Sequence, residues 1–119
     1  MSDIKEINKM LKLIPNLMGD KKAKDITILD VRKLTSLTDY FILCTSESSP
    51  QTKAIMGHIY KKLRELEWRP NNLEDTKTLD WVAMDYFSIV IHIFNQETRN
   101  YYQFERLWSD AKIKIINEK

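Results

Sequence analysis

Two histidines and one cysteine are the residues of this chain best suited to metal binding or acid–base chemistry. His58 lies beside the apolar stripe of a predicted helix, whereas His92 alternates with isoleucines in a predicted strand. A metal site needs several converging ligands, and neither histidine has a second histidine or cysteine at ligand spacing. We therefore expect structural roles for both histidines and no metal. Cys44 lies in an apolar tract, which predicts a buried thiol.

Other patterns that could do chemistry are incomplete. Neither Gly19 nor Gly57 lies in a Walker or dinucleotide pattern, so no phosphate cradle and no cofactor are predicted. Ser46, Ser48 and Ser49 follow a predicted strand as a nucleophile elbow would, but the flanking glycines of that motif are absent. Helix capping is the better interpretation of these serines.

Three aspartates end or begin predicted strands, where they could gather at one rim of a sheet: Asp30, Asp39 and Asp85. Such a rim could bind magnesium. Acids at strand ends more often cap loops or accept backbone amides, and no Asp-x-Asp pair is present. We favour the structural interpretation.

Aromatic residues beside polar ones form the remaining group of interest, which comprises Trp81, Tyr86, Tyr101 and Tyr102 with Asp85 and Arg99 nearby. Rigid rings are over-represented at the centres of protein contacts, because they bury much area at little entropic cost. Burial in the core is an equally good interpretation for most of them. Tyr102 is the exception, since it lies off the helical stripe of Tyr101 and Trp108 and should be exposed.

Length and charge restrict the class of protein. The 119 residues, 43% hydrophobic, fit one domain with one core. The net charge of +2 argues against bulk nucleic-acid binding, and the one basic cluster, Lys21 to Lys24, reads as a solvated loop. The single cysteine and the lack of a membrane span or signal peptide predict a cytoplasmic protein.

The first half of the chain predicts two helices and two central strands. Ile4, Ile7, Leu11 and Ile14 recur at helical spacing after a capping box of Asp3 and Glu6. Pro15 and Gly19 should end this helix near Asn16, although Pro15 could instead kink it. Apolar tracts at 26–31 and 40–45 predict strands. The Ser49 hydroxyl, followed by Pro50, should cap a helix that buries Ile55, Ile59, Leu63 and Leu66.

The second half predicts an exposed connector, a hairpin and one helix. Residues 69–78 are polar and lack periodicity, whereas 81–86 and 89–94 are separated so briefly that an antiparallel hairpin is expected. A last helix from about Thr98 should bury the stripe Tyr101, Phe104, Trp108, Ala111 and Ile115. The order α, β, β, α, β, β, α favours an α/β or α+β fold with a mixed sheet of four to five strands.

Five tracts at consistent spacing resemble one family. They are D-I-T-I-L-D-V (25–31), D-Y-F-I-L-C-T (39–45), W-V-A-M-D-Y (81–86), I-V-I-H-I-F (89–94) and Y-Y-Q-F-E-R-L-W (101–108). Together they resemble the bacterial ribosomal silencing factors, RsfS, also called Iojap-like. The resemblance makes residues 1–119 a single domain, with an N-terminal helix and linker at 1–24, the family core at 25–111, and a helix end and tail at 112–119.

The resemblance implies a function without reaction chemistry. It implies a mixed α/β domain that is distantly similar to nucleotidyltransferases but lacks their catalytic residues. Members are usually dimers that bind the large-subunit ribosomal protein numbered fourteen and block joining of the small subunit, repressing translation. Carried over by position, the partner-binding residues are Trp81, Asp85, Tyr86, Arg99, Tyr101 and Tyr102.

The chain departs from the family pattern at Ser46, Asp75 and Phe87, where glycine is usual. At Phe87 we expect a hairpin that is wider or set at another angle. Two alternative functions stay open: a nucleotidyltransferase-like enzyme, and a module that binds ribosomal RNA through Lys21 to Lys24 and the basic face of the central helix.

Overall fold

The computed structural model of the protein describes residues 4–116. Its helices are α1 (Ile4–Asp20), α2 (Ser49–Glu65), α3 (Gln96–Tyr102) and α4 (Phe104–Leu107). Its strands are β1 (Lys24–Asp30), β2 (Tyr40–Ser46), β3 (Asn72–Asp75), β4 (Trp81–Asp85), β5 (Ile89–Asn95) and β6 (Lys112–Ile115).

Across residues 4–116 the strands form one six-stranded sheet in the order β3-β4-β5-β2-β1-β6. β2 and β5 pair in parallel because α2 crosses between them, and the other neighbouring pairs are antiparallel. The expected mixed α+β fold is confirmed. The expected count of four to five strands is wrong, since β3 and β6 lie in segments predicted as a loop and a helix.

The sheet separates two apolar cores, because successive side chains of a strand point to opposite faces. On one face α1 and α2 cover Ile42 and the buried thiol of Cys44. On the other face the short helix α4 inserts Phe104 among Leu43 and Phe94. The helices on this second face are short, so they leave β3 and β4 uncovered.

The first helix is longer than predicted. It runs to Asp20 with Pro15 inside it and buried, so the predicted end near Asn16 is wrong. The helix ends in a Schellman motif, in which Lys22 takes a left-handed φ of 63° and the Ala23 N–H donates to the Met18 carbonyl at 3.1 Å. The proposed capping partner Asp3 lies outside the described residues.

The central helix begins as predicted, but its cap is one residue earlier. The Ser48 hydroxyl accepts the Gln51 N–H at 3.1 Å, whereas the Ser49 hydroxyl donates to the Thr78 carbonyl at 2.9 Å. The predicted apolar stripe is buried at Ile55, Ile59 and Leu63 and exposed at Leu66.

The connector at 69–78 contains the edge strand β3. All four residues of β3 are exposed, and backbone pairing with β4 holds them. A fully exposed strand has no buried face, so it leaves no alternation of apolar and polar residues in the sequence.

The predicted C-terminal helix is replaced by α3, α4 and β6. Gln103 adopts a left-handed φ of 48° and ends α3, which turns Phe104 into the core while Tyr101 points outward. Trp108 and Ala111 are partly buried against that core, but Ile115 lies exposed on β6. The predicted burial of Tyr101 and Ile115 is therefore wrong, and the predicted exposure of Tyr102 is confirmed.

The β4–β5 hairpin is antiparallel, as predicted, and its loop of 86–88 is short. Phe87 takes a left-handed φ of 70° there, and its N–H donates to Asp85 Oδ1 at 2.8 Å. The short loop therefore closes without glycine, with Phe87 in the left-handed conformation. Ser46 and Asp75 lie at the ends of β2 and β3, without left-handed φ.

We expect Phe87→Gly to raise the free energy of unfolding by about 1 kcal/mol, because glycine adopts this conformation without a Cβ clash. The Phe87 side chain is 64% exposed, so little packing is lost. Urea unfolding would measure the gain. Phe87→Ala is the matched control and should gain almost nothing; an equal gain for alanine would contradict this account of the strain.

Candidate functional site

Three aromatic side chains meet at one end of the open sheet face. Trp81 begins β4, and Tyr101 and Tyr102 end α3. The Tyr102 ring centroid lies 5.1 Å from that of Trp81 and 5.0 Å from that of Tyr101. Tyr101 is 79% exposed and Tyr102 is 50% exposed. We call Trp81, Tyr101 and Tyr102 the aromatic patch.

His92 holds the indole of this patch from below. Trp81 Nε1 donates a hydrogen bond to His92 Nδ1 at 3.0 Å, and the Trp81 ring packs on Phe94 at 5.1 Å. Burial of His92 lowers its pKa from 6.5 to about 4, so the ring is neutral at pH 7 with its proton on Nε2. The expected structural role of His92 is confirmed, and it consists of accepting this bond.

Arg99 precedes Tyr101 and Tyr102 in α3 and is only 6% exposed. Its Nε and Nη2 donate to the Glu105 carboxylate at 3.1 and 2.8 Å. Nη1 donates to Thr45 Oγ1 at 2.8 Å and to the Asp25 carbonyl at 2.9 Å, while Nη2 also reaches Thr27 Oγ1 at 3.2 Å. All five guanidinium hydrogens are thus used within the protein, which suits Arg99 to positioning α3 rather than to direct contact.

The structure separates the other two predicted site residues from the patch. Tyr86 is 3% exposed and packs near Trp68 in the core under α2, where burial raises the pKa of its hydroxyl. Asp85 shares the face of Trp81 but lies four residues along β4, which corresponds to about 13 Å. The structure therefore brings Trp81, Tyr101 and Tyr102 together, leaves Asp85 at the far end of β4, and places Tyr86 on the opposite face of the sheet.

The stretch between Trp81 and Asp85 adds residues that sequence reasoning missed. Ala83 is half-buried, and exposed Glu74 and Asn72 of β3 lie opposite Ala83 and Asp85. These residues and the aromatic patch form one surface, which we call the open face. The β3 residues were missed because an exposed edge strand has no apolar period.

The three aspartates do gather at one rim, at the ends of β1 and β4 and before β2. Asp30 binds the Arg32 guanidinium at 2.9 and 2.7 Å, and these hydrogen bonds lower the pKa of the Asp30 carboxyl. Within residues 4–116 no three histidine, cysteine, aspartate or glutamate side chains are placed to hold a metal. His58 Nε2 lies 3.0 Å from Asp20 Oδ2, at hydrogen-bond distance.

Among residues 4–116, none of the helices has the length and apolar content to cross a membrane.

Comparison with known proteins assigns the chain to a family. Residues 4–119 match the family described as "Ribosomal silencing factor during starvation", RsfS. The chain belongs to the RsfS family. It is 33% identical over 108 residues to the ribosomal silencing factor RsfS of Bacillus subtilis, covering 91% of this chain and 92% of that one.

A solved structure and a mammalian protein are also similar to this chain. A crystal structure of a protein from Chromobacterium violaceum matches with a TM-score of 0.84 and 34% identity, covering 94% of this chain and 93% of that chain. A mouse protein named "Mitochondrial assembly of ribosomal large subunit protein 1" is 29% identical over 100 residues, which span 82% of this chain and 44% of the mouse protein. RsfS proteins are named for silencing and not as enzymes, in agreement with the prediction that this chain is no enzyme.

We expect Arg99→Lys to lower the free energy of unfolding by about 2 kcal/mol, because an ammonium group has three donors and cannot form the paired contact to Glu105. Chemical denaturation would measure the loss. Arg106→Lys is the matched control, since Arg106 is exposed and bonds Gln103. Equal effects of the two substitutions would contradict the role given to Arg99.

We expect His92→Phe to release the Trp81 indole N–H, because phenylalanine keeps the ring contacts but has no acceptor. The Trp81 indole signal in a ¹⁵N NMR spectrum should shift, whereas His92→Asn, which places an oxygen near the Nδ1 position, should keep it. An unshifted indole signal in His92→Phe would contradict the assignment.

The same variant tests a pH dependence of stability that His92 gives to the unsubstituted protein. Above pH 6.5 His92 is neutral in both states, and between 6.5 and about 4 only the unfolded chain binds the proton, so stability falls as pH falls. The slope is about 1.4 kcal/mol per pH unit. The free energy of unfolding of the unsubstituted protein, relative to that of His92→Phe, should therefore fall by roughly 2 kcal/mol between pH 6.5 and 5. A constant difference would contradict this assignment.

Proposed function

We propose that the protein docks through its open face on the large ribosomal subunit, at the ribosomal protein numbered fourteen, and thereby blocks joining of the small subunit. Membership of the RsfS family supports a role in ribosome silencing. The name of the mouse relative refers to the large subunit, which supports the choice of subunit. The resemblance of the sequence to RsfS suggests the particular ribosomal protein, and also a cytoplasmic homodimer as the free form.

The exposed aromatic patch is the observation that carries the proposal. Two tyrosines next to each other on a surface, one of them 79% exposed, leave a large apolar area in water unless a partner covers it. His92 holds the Trp81 side chain of β4, and Arg99 holds α3, which carries the two tyrosines. The rings therefore lose little conformational entropy on binding. Rigid aromatic anchors of this kind contribute most of the free energy at protein contacts.

The rest of the open face supports a basic partner. Glu74 and Asp85 place carboxylates on the face that the aromatic patch occupies. Proteins that bind RNA, as ribosomal proteins do, carry an excess of lysine and arginine. Opposite charges across the contact would orient the two surfaces and speed their association.

Silencing would then require only that the protein occupies the face of the large subunit that the small subunit joins. The molecule measures 34 × 34 × 30 Å, with a radius of gyration of 13.2 Å. A rigid body of this size on the joining face of one subunit cannot share that face with the other subunit. No bond has to be made or broken, which fits a chain that lacks a recognisable set of reactive residues.

The structure favours neither the nucleotidyltransferase-like enzyme nor RNA binding through the segment from Lys21 to Lys24. A nucleotidyltransferase-like enzyme would need an acidic pair to hold its metal. Asp30 instead binds the Arg32 guanidinium, and Asp85 accepts the Phe87 N–H. For RNA binding, the segment from Lys21 to Lys24 is divided, since Lys24 pairs with Glu47 at 2.7 Å.

We expect Tyr102→Ala to weaken binding to isolated large subunits by about tenfold, the loss typical of an interface anchor. Pelleting through a sucrose cushion would measure it. Leu37→Ala is the control. Leu37 is 83% exposed in the loop between β1 and β2, at the end of the sheet opposite to the aromatic patch. This variant should bind large subunits normally.

A gradient profile tests the consequence of binding. Excess unsubstituted protein should lower the peak of joined ribosomes, and Tyr102→Ala should lower it less. Equal pelleting of the tyrosine and leucine variants would remove the aromatic patch from the contact, and an unchanged ribosome peak would reject steric silencing.

A further inference from the structure

A groove runs between α1 and the edge strand β6, far from the open face. Its volume is about 390 Å³. The floor is apolar and aromatic and includes Leu11, Ile28 and Tyr40. The rim carries three exposed lysines, Lys12, Lys112 and Lys114.

The pairing of β6 explains why these lysines converge. Lys114 lies opposite Ile28, whose side chain packs in the core under α1, so Lys114 points to the α1 side of the sheet. Lys112 lies two residues earlier in the strand and shares that side, about 6.6 Å away along the chain. The alternation K-I-K-I therefore directs both lysines toward Lys12 of α1.

A second concavity of about 350 Å³ extends this groove and shares Asp30 and Lys112 with it. It adds Arg32 and Lys33, and the Arg32 guanidinium lies 5.2 Å above the Tyr40 ring centroid. We call the two concavities the basic groove. Its cations are Lys12, Arg32, Lys33, Lys112 and Lys114, against the two carboxylates of Asp30 and Asp110.

The cations of the basic groove are available to a partner. Among residues 4–116, the side-chain ammonium groups of Lys12, Lys33 and Lys114 make no hydrogen bond or ion pair. Asp30 already binds Arg32. Lysines on an edge strand also discourage pairing with other chains. That explanation covers β6 but not Lys12 and Lys33, which come from a helix and a loop.

We propose that the basic groove binds the sugar–phosphate backbone of RNA. Rim lysines would neutralise phosphates, and bases would lie against the apolar floor and the stacked Arg32–Tyr40 pair, as in other single-strand sites. RNA is favoured over an acidic protein because the family acts on ribosomes, whose surface is rich in RNA. β6 lies four strand positions from β4, about 19 Å, so the groove and the open face can be occupied together.

The test uses a labelled single-stranded RNA of about 12 nucleotides and the full chain. Fluorescence anisotropy would give its Kd between about 50 and 200 mM salt. The variant is Lys12→Gln/Lys112→Gln/Lys114→Gln. The matched control is Lys53→Gln/Lys61→Gln/Arg64→Gln. It removes three exposed positive charges from α2, whose basic face the sequence predicted as an RNA contact.

With three phosphate contacts, log Kd should change with log salt with a slope of about 2, so binding weakens roughly sixteenfold across that range. The groove variant should bind at least tenfold more weakly at low salt and lose most of the slope, while the control stays within about threefold. Circular dichroism would confirm that both variants are folded.

Three outcomes would overturn the proposal: equal losses in groove variant and control, no RNA binding at low salt, or binding of polyglutamate but not RNA to the groove. The last would make the occupant an acidic protein. Tyr102→Ala should leave RNA binding unchanged, so failure here is separable from failure of docking through the open face.

Discussion

The buried guanidinium of Arg99 is the interaction on which the candidate surface depends. A buried charge is costly unless every donor has a partner, and here five hydrogen bonds connect β1, β2, α3 and α4. The helices on this face are short, and α3 ends in two exposed tyrosines. The bonds of Arg99 hold those tyrosines in place where apolar packing is limited.

The remaining architecture follows from unequal cover of the two sheet faces. Two seventeen-residue helices cover one face, so that side provides most of the core. On the other face α3 and α4 leave β3 and β4 open, and Trp81 is held there by His92 and Phe94. A small protein can in this way combine a stable core with a rigid surface for a partner.

Prediction from sequence succeeded where a pattern is local and buried. The strands β1, β2, β4 and β5, the core of α2 and the buried His92 all lie in apolar tracts with a clear period. It failed where one residue changes the chain direction. Lys22, Phe87 and Gln103 adopt left-handed φ values, and no glycine at these positions indicates them in the sequence. It also failed for β3 and β6, whose exposed residues show no burial pattern and whose pairing is with strands distant in sequence.

The sequence by itself determined the family and the central strands, because these are contained in short tracts whose spacing and apolar period are read without knowing the fold. It named Trp81, Tyr101 and Tyr102 as candidates for a contact but did not separate them from Asp85, Tyr86 and Arg99. The tertiary structure alone decided that Arg99 and Tyr86 are buried, that Tyr101 is exposed, and that Lys12 meets Lys112 and Lys114. The physical reason is that burial and convergence depend on strand order and on where a helix breaks. Residues a hundred positions apart become neighbours only when β6 closes onto β1 beside α1.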